Sequence, residues 1–180
     1  MKPRPASESR TKMADLVLPP DTNTYGTMFG GRVMAYVDKI ASVVAMRHCR
    51  LPVVTAATDS LDFLAPIRAG EAIVLDAFVT WTHRTSLEIF CRIESENLLT
   101  GERRLTGTSY LTFVALDESG RPALVPPVIP ETDEEKWHHA GAPARREVRL
   151  ARREERRRTG FADGACGRKA PVSGGEPPWT

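Results

Sequence analysis

Cysteine is scarce in this chain: Cys49, Cys91 and Cys166 stand far apart, and no Cys-x-x-Cys pair occurs. That isolation argues against a disulfide framework. Histidine does not cluster with cysteine at ligand spacing, so no metal is expected. Long apolar runs are missing as well. No window reaches the ~20 residues that span a bilayer, and Met1–Lys12 has no apolar run behind its basic residues, so it does not read as a secretory signal. A cytoplasmic protein with no membrane insertion is the expectation. Charge of one sign is absent too, the formal net charge being +2. The small total hides an uneven distribution, because residues 144–158 read ARREVRLARREERRR. Such a segment suits an anionic partner, or a solvated helix whose acids and bases pair at short spacing. It lacks aromatic interleaving and grouped glycines, so nucleic acid is not an expected partner.

What is present suits one domain. The chain has 180 residues, 41% of them hydrophobic, enough for a real core. Residues 1–12 are polar and hold two prolines, which reads as a flexible leader. Met13–Leu18 reads as a short strand stopped by Pro19-Pro20, since proline lacks the ladder donor. A polar loop from Asp21 to Phe29 ends in Gly30-Gly31, and these open a helix expected over Gly31–His48. Met34, Val37, Ala41, Val44 and Ala45 share one face of it; Ala35, Ile40, Ser42 and Val43 make the other side weakly polar at best. A helix apolar nearly all round is buried on more than one side. Asp38 sits within it and is therefore expected to be buried. An unpaired buried carboxylate costs several kcal/mol, so Asp38 needs a partner or a chemical task.

The rest of the core alternates with period two. Strands are expected from Val54 to Phe63, Glu71 to Trp81, across Leu87–Glu94, and from Leu105 to Leu116. Short connections between long strands favour antiparallel neighbours. One helix cannot cover both faces of a doubly wound sheet. The expected fold is α+β, a strongly curved antiparallel sheet wrapped around one long central helix, with oligomerisation protecting its outer face and edges. The expected divisions are a leader at 1–12, this domain at 13–130, a charged helical extension at 131–159 that breaks near Gly141-Ala142-Pro143, and a disordered tail at 160–180.

The combination Asn23-x-x-Gly26-x-x-Phe29-Gly30-Gly31, then Asp38, Val54-Thr55, Asp59, Phe63-x-x-Pro66, Gly70 and Arg84-Thr85-Ser86 closely resembles the hotdog-fold acyl-CoA thioesterases. The resemblance covers about Ala14 to Pro127. It implies the hotdog fold and hydrolysis of acyl-CoA to a free acid and CoA. CoA is then part of the substrate and product, and no cofactor is needed. It also implies active sites between two copies of the chain, and so a homo-oligomer, at least a dimer and by family habit a hexamer built as a trimer of dimers.

Carried over residue by residue, the resemblance makes Asn23 and Asp38 catalytic and has them meet from different subunits. Asp38 serves as general base toward water or as a nucleophile forming an anhydride. Asn23 positions the water or the thioester carbonyl; by itself it also reads as an Asx-turn residue. Gly31 is the third catalytic candidate, through a helix N-terminal amide that polarises the carbonyl, with Gly30 beside it. Phe29 and Phe63 are expected to line the acyl channel, and Asp59 to stand near the dimer seam or the mouth of the site. Arg84, Thr85 and Ser86 are expected beside bound CoA. His83 departs from the family's usual glycine. Two other classes compete: a non-catalytic acyl-CoA-binding hotdog protein, and a hotdog hydratase or dehydratase, which uses a histidine with a carboxylate.

Overall fold

A computed structural model describes residues 1–159. The expected disordered tail at 160–180, and Cys166, lie outside the described residues. The chain divides into a unit at Met1–Pro143 and a second at Ala144–Thr180. The first contains β1 (Arg4–Pro5), β2 (Thr11–Leu16), α1 (Gly30–Cys49), β3 (Val53–Phe63), β4 (Ala72–His83), β5 (Ser86–Glu96), β6 (Arg103–Ala115) and β7 (Val128–Ile129). A last helix, α2 (Asp133–Arg158), begins in the first unit and supplies the described helix of the second.

Five strands form one antiparallel sheet in the order β2-β4-β5-β6-β3. Period-two alternation sends Ile73, Leu75, Ala77 and Val79 of β4, and Leu87, Ile89, Cys91 and Ile93 of β5, to one face. That face meets the buried stripe of α1, in which Val33, Val37, Ile40, Ala41, Val44 and Ala45 recur at helical spacing. Helix α1 ends where Arg50 takes a left-handed conformation (φ 59°) and bonds back to the Met46 carbonyl at 2.8 Å; Pro52 then blocks continuation.

The topology is hotdog-like, one main helix on an antiparallel sheet, but the expected strong curvature of the sheet around that helix is corrected by the structure. Among the described residues the sheet is open, with β2 and β3 as its two edges. The physical reason lies on its outer face, where Phe78, Phe90 and Tyr110 stand on neighbouring strands. A sheet closing on α1 alone would leave these rings in water. They are covered instead by the first turns of α2. The His138 ring lies 4.0 Å from that of Phe90 and 5.6 Å from that of Phe78, and its Nδ1 is 2.6 Å from the Tyr110 hydroxyl. His139 Nδ1 donates to the Thr80 carbonyl at 2.8 Å. Helix α2 starts in a reciprocal cap: the Glu135 amide donates to Thr132 Oγ1 and the Thr132 amide to Glu135 Oε2, both at 3.2 Å.

Two further expectations change. Helix α2 runs without a break through Gly141-Ala142-Pro143. Proline withdraws one donor there, but Ala142 is fully buried and the histidine contacts hold the preceding turn. The segment read as a flexible leader carries β1, paired in parallel with β7, and a 3₁₀ turn at Ala6–Glu8, with Ala6 and Ser9 fully buried. Arg10 grips Asp76 through two hydrogen bonds, at 2.9 and 2.8 Å, and its guanidinium sits 4.7 Å over the Phe78 ring.

His48, at the end of α1, is buried. Its Nε2 lies 3.1 Å from the Pro126 carbonyl and must carry the proton, while Nδ1 has no partner among the described residues. Burial pushes its pKa down, so the folded chain keeps it neutral. Below about pH 6.5 the unfolded chain takes up a proton that the folded chain excludes, so stability falls as the solution is acidified. Thermal melts from neutral pH to pH ~5 should show a declining midpoint for the wild type and a flatter line for His48→Gln. Parallel lines would show that His48 does not carry the effect.

Candidate active site

The chemistry-bearing residues gather at the start of α1 and along the flank it shares with β3. Phe29 enters the helix with extended backbone and supplies no side-chain cap. Its carbonyl accepts the Arg32 and Val33 amides at 2.9 and 3.1 Å, whereas the Gly30 and Gly31 amides have no acceptor among the described residues. These are the unpaired donors of a helix N-terminus. Nothing lies within 4 Å of where a Cβ at Gly31 would stand, so a ligand atom can approach that backbone. A Cβ at Gly30 would stand 3.2 Å from Cζ of Phe63, so glycine there lets the ring fold over the helix start.

Two hollows meet at this glycine pair. One, of about 440 Å³, is lined by Gly30, Phe63 and apolar residues between α1 and the sheet. The other, of about 310 Å³, runs along α1 and is lined by Gly31, Met34 and Asp38 on the helix, with Thr58 and Leu61 on β3. Asp38 is exposed on the protomer, which corrects the expectation that it is buried. The stripe of α1 that packs on the sheet passes through Val37 and Ala41, and Asp38 falls on the flank beside it. Thr55 Oγ1 donates to Asp38 Oδ1 at 2.7 Å, and Asp38 lines the hollow. Thr55 was not singled out as a site residue from the sequence. Its partner is 17 residues away on another element, a pairing that no local spacing reveals.

The other expected residues are more dispersed. Asn23 is held within its own loop: its Nδ2 donates to Thr27 Oγ1 at 3.0 Å, and its Oδ1 accepts the Tyr25 and Thr27 amides at 2.9 and 3.3 Å. Gly26, at φ 71°, makes that turn possible. Asn23 lines neither hollow of the single protomer. Phe29 is exposed and lines neither. Asp59 falls where the register of β3 shifts, and accepts from Thr112 Oγ1 at 3.4 Å. Arg84 and Thr85 form the two-residue tip between β4 and β5, fixed by the Val125 amide on the Arg84 carbonyl and the Ala115 amide on the Thr85 carbonyl. Through the ladder Ser86 faces Val114, which faces Val54, so the tip lies at the Thr55 end of the sheet. Gly30 lies at the other end, beside Phe63. No histidine of the same protomer lines the Asp38 hollow. Among the described residues no three His, Cys, Asp or Glu side chains stand in a metal-holding group.

Residues 25–102 match the family model of the thioesterase superfamily. The chain is 48% identical over 146 residues to the uncharacterized acyl-CoA thioester hydrolase YkhA of Bacillus subtilis, covering 81% of this chain and 85% of the relative. It belongs to the hotdog-fold acyl-CoA thioester hydrolases. Solved members of this hydrolase family share the architecture. A hexameric acyl-CoA thioesterase, 53% identical, superposes with a TM-score of 0.82 over 84% of this chain and 97% of its own. An acyl-CoA hydrolase of Staphylococcus aureus, solved with butyryl-CoA and CoA, is 44% identical with a TM-score of 0.84 over 88% and 96%. That hydrolase has also been solved with an asparagine, an aspartate and a threonine replaced in turn by alanine. Those three residues are spaced along its chain as Asn23, Asp38 and Thr55 are here. The human cytosolic acyl coenzyme A thioester hydrolase is 33% identical over 137 residues, and the chain spans only 36% of that longer relative.

Proposed function

We propose that this protein hydrolyses acyl-CoA thioesters to a free acid and CoA, in sites that two copies of the chain build together. The observation that carries the shared site is the placement of Asn23. An attacking water and the donors that steady the oxyanion must converge within about 3 Å of one carbonyl carbon. Asn23 lines neither hollow of one protomer, so in this reading a second copy completes the site. The exposed flank of α1 and the edge strand β3 offer the surface for that copy. β3 is long and largely exposed, with Val54 and Phe63 open to solvent, the kind of edge that seeks pairing. As in the hexameric relative, a hexamer is the proposed assembly.

In this reading Asp38 takes a proton from water as the new carbon–oxygen bond forms. The negative charge on the carbonyl oxygen rests on the Gly31 amide, with Gly30 beside it. The carbon–sulfur bond then breaks, and the proton passes to the leaving thiolate. Thr55 is a positioning residue that holds one carboxylate oxygen and leaves the other for the water. Asn23 orients the water or the carbonyl from the partner's side, its loop pre-folded by the Thr27 contacts. Asp59 serves the interface near the site. Arg84, Thr85 and Ser86 offer a guanidinium and hydroxyls to the phosphates of CoA. Among the described residues no helix is long and apolar enough to cross a membrane. A cytoplasmic location is proposed, with two buried free thiols, Cys49 and Cys91, in keeping with a reducing compartment.

The test is release of free thiol from acyl-CoA substrates, acetyl to palmitoyl, by the purified oligomer. No release from any of them overturns the reading, and sedimentation of an active protein as monomer overturns the shared site. Thr55→Val should lower kcat by about tenfold with KM little changed, and Thr55→Ser should restore it. An equal loss in Thr55→Ser would show that the methyl packing of Thr55, not its hydroxyl, is what matters.

A further inference from the structure

The last turns of α2, which belong to the second unit, carry their charge in an order that the hydrolase reading does not use. Residues 144–159 read ARREVRLARREERRRT. Each residue advances about 100° around a helix. Arg145, Arg146, Arg149, Arg152, Arg153 and Arg157 therefore fall within one arc of about 140°. Glu147, Glu154 and Glu155 fall on the opposite side, where Arg158 joins them through a 3.5 Å pair with Glu154. The arginine face runs about 18 Å along the helix axis. Leu150 and Val148 stand on its two borders, 43% and 53% exposed.

This segregation works against the helix in water. Arg145, Arg149, Arg153 and Arg157 follow one another at four-residue spacing, and like charges so placed destabilise a helix. Within residues 144–159 only Glu154 and Arg158 put opposite charges at that spacing. A helix meant simply to stay solvated gains more from mixing its signs. Arg145, Arg149 and Arg152 hold contacts of their own; Arg153 and Arg157, further along, are exposed. A plane of negative charge relieves the repulsion along the whole face at once. We propose that this face docks on the anionic headgroups of a phospholipid bilayer, lying along the surface without crossing it. Its borders favour lipid over nucleic acid. Val148 and Leu150 can enter the headgroup boundary while the arginines keep their charged ends at the phosphates. The segment has no aromatic ring on which a base stacks, and no asparagine or glutamine to read a base edge. Docking uses none of the catalytic residues, so it and the hydrolase reading stand or fall separately.

Each arginine brought to an anionic surface is worth about fivefold in partitioning. The experiment is sedimentation of the intact oligomer with vesicles of phosphatidylcholine alone and of equimolar phosphatidylcholine and phosphatidylglycerol. Wild type should pellet with the mixed vesicles and not with the neutral ones. Raising the salt from about 0.1 M to about 1 M should release it, since the reach of charge shrinks from about 10 Å to about 3 Å. Arg153→Glu with Arg157→Glu should weaken partitioning by at least about 25-fold. Arg153→Lys with Arg157→Lys, which keeps the charge at the same positions, should retain it. Thiol release from acetyl-CoA in free solution should be the same in wild type and both double variants. Wild type that ignores the mixed vesicles, or binds neutral ones equally well, overturns the proposal. So does a glutamate pair that binds like wild type, or a lysine pair that fails along with it. Retention of single-stranded or duplex RNA in place of the mixed vesicles would make nucleic acid the partner and overturn it as well.

Discussion

Asp38→Asn should remove turnover by roughly 10²–10⁴-fold while leaving the oligomer assembled. The replacement is nearly isosteric, and its side-chain oxygen still accepts the Thr55 hydroxyl that now bonds Asp38 at 2.7 Å. What it loses is the capacity to accept a proton from water. Asn23→Ala should also impair the enzyme, partly through its loop, because the amide that would serve the partner's site also ties Tyr25 and Thr27 in place. Mixing the two inactive variants separates these roles. If one site takes Asp38 from one chain and Asn23 from the other, each mixed pair has one intact site and one doubly altered site. Half of randomly exchanged pairs are mixed, so activity should return to about a quarter of the wild-type level. Absence of recovery after exchange is verified by sedimentation of tagged chains would place both residues in a site made by one protomer. Wild-type turnover in Asp38→Asn would remove the general base altogether.

Phe78→Ala should be the most damaging single change to stability, by about 3–5 kcal/mol. The side chain is buried on the outer face of the sheet, edge-on to Phe90 at 5.7 Å and to His138 at 5.6 Å, with the Arg10 guanidinium above it. Truncation opens a cavity and also loosens three elements that meet there: the N-terminal segment, the sheet and the start of α2. For a chain of this length the melting midpoint should fall by about 10 °C. A His138→Ala partner variant makes the test specific. The two changes should be non-additive by about 0.5–1.5 kcal/mol, since each removes the same ring contact. Additive losses, or a Phe78→Ala melt close to wild type, would show that α2 does not cover this face.

Much of this architecture follows from local pattern. The period-two alternation in residues 53–115 specifies long strands wherever it occurs, because successive side chains must point to opposite faces. The three- and four-residue recurrence from Met34 to Ala45 specifies α1 in the same way, although Val33 and Ile40 are buried in the packed stripe and Met34 is exposed. Asn23, Gly31 and Asp38 could be named as candidates from a motif, since a motif is a statement about residue type and spacing. Tertiary structure decided which side of each element faces what. Asp38 looked buried because its neighbours along the chain are apolar. It is exposed because the packed stripe of α1 passes one residue to its side, and one position on a helix turns a side chain by about 100°. The outer face of the sheet looked like a surface for other subunits, because one central helix cannot cover both faces of a sheet. Two histidines of α2 reach it, with partners on strands 28 and 59 residues earlier in the chain. Separation along the chain likewise hid the Thr55 hydroxyl on Asp38, 17 residues away, and the ring of Phe63 over Gly30. Sequence spacing carries information about neighbours along one element. The site depends on approaches between elements, and the packing of the whole chain sets those.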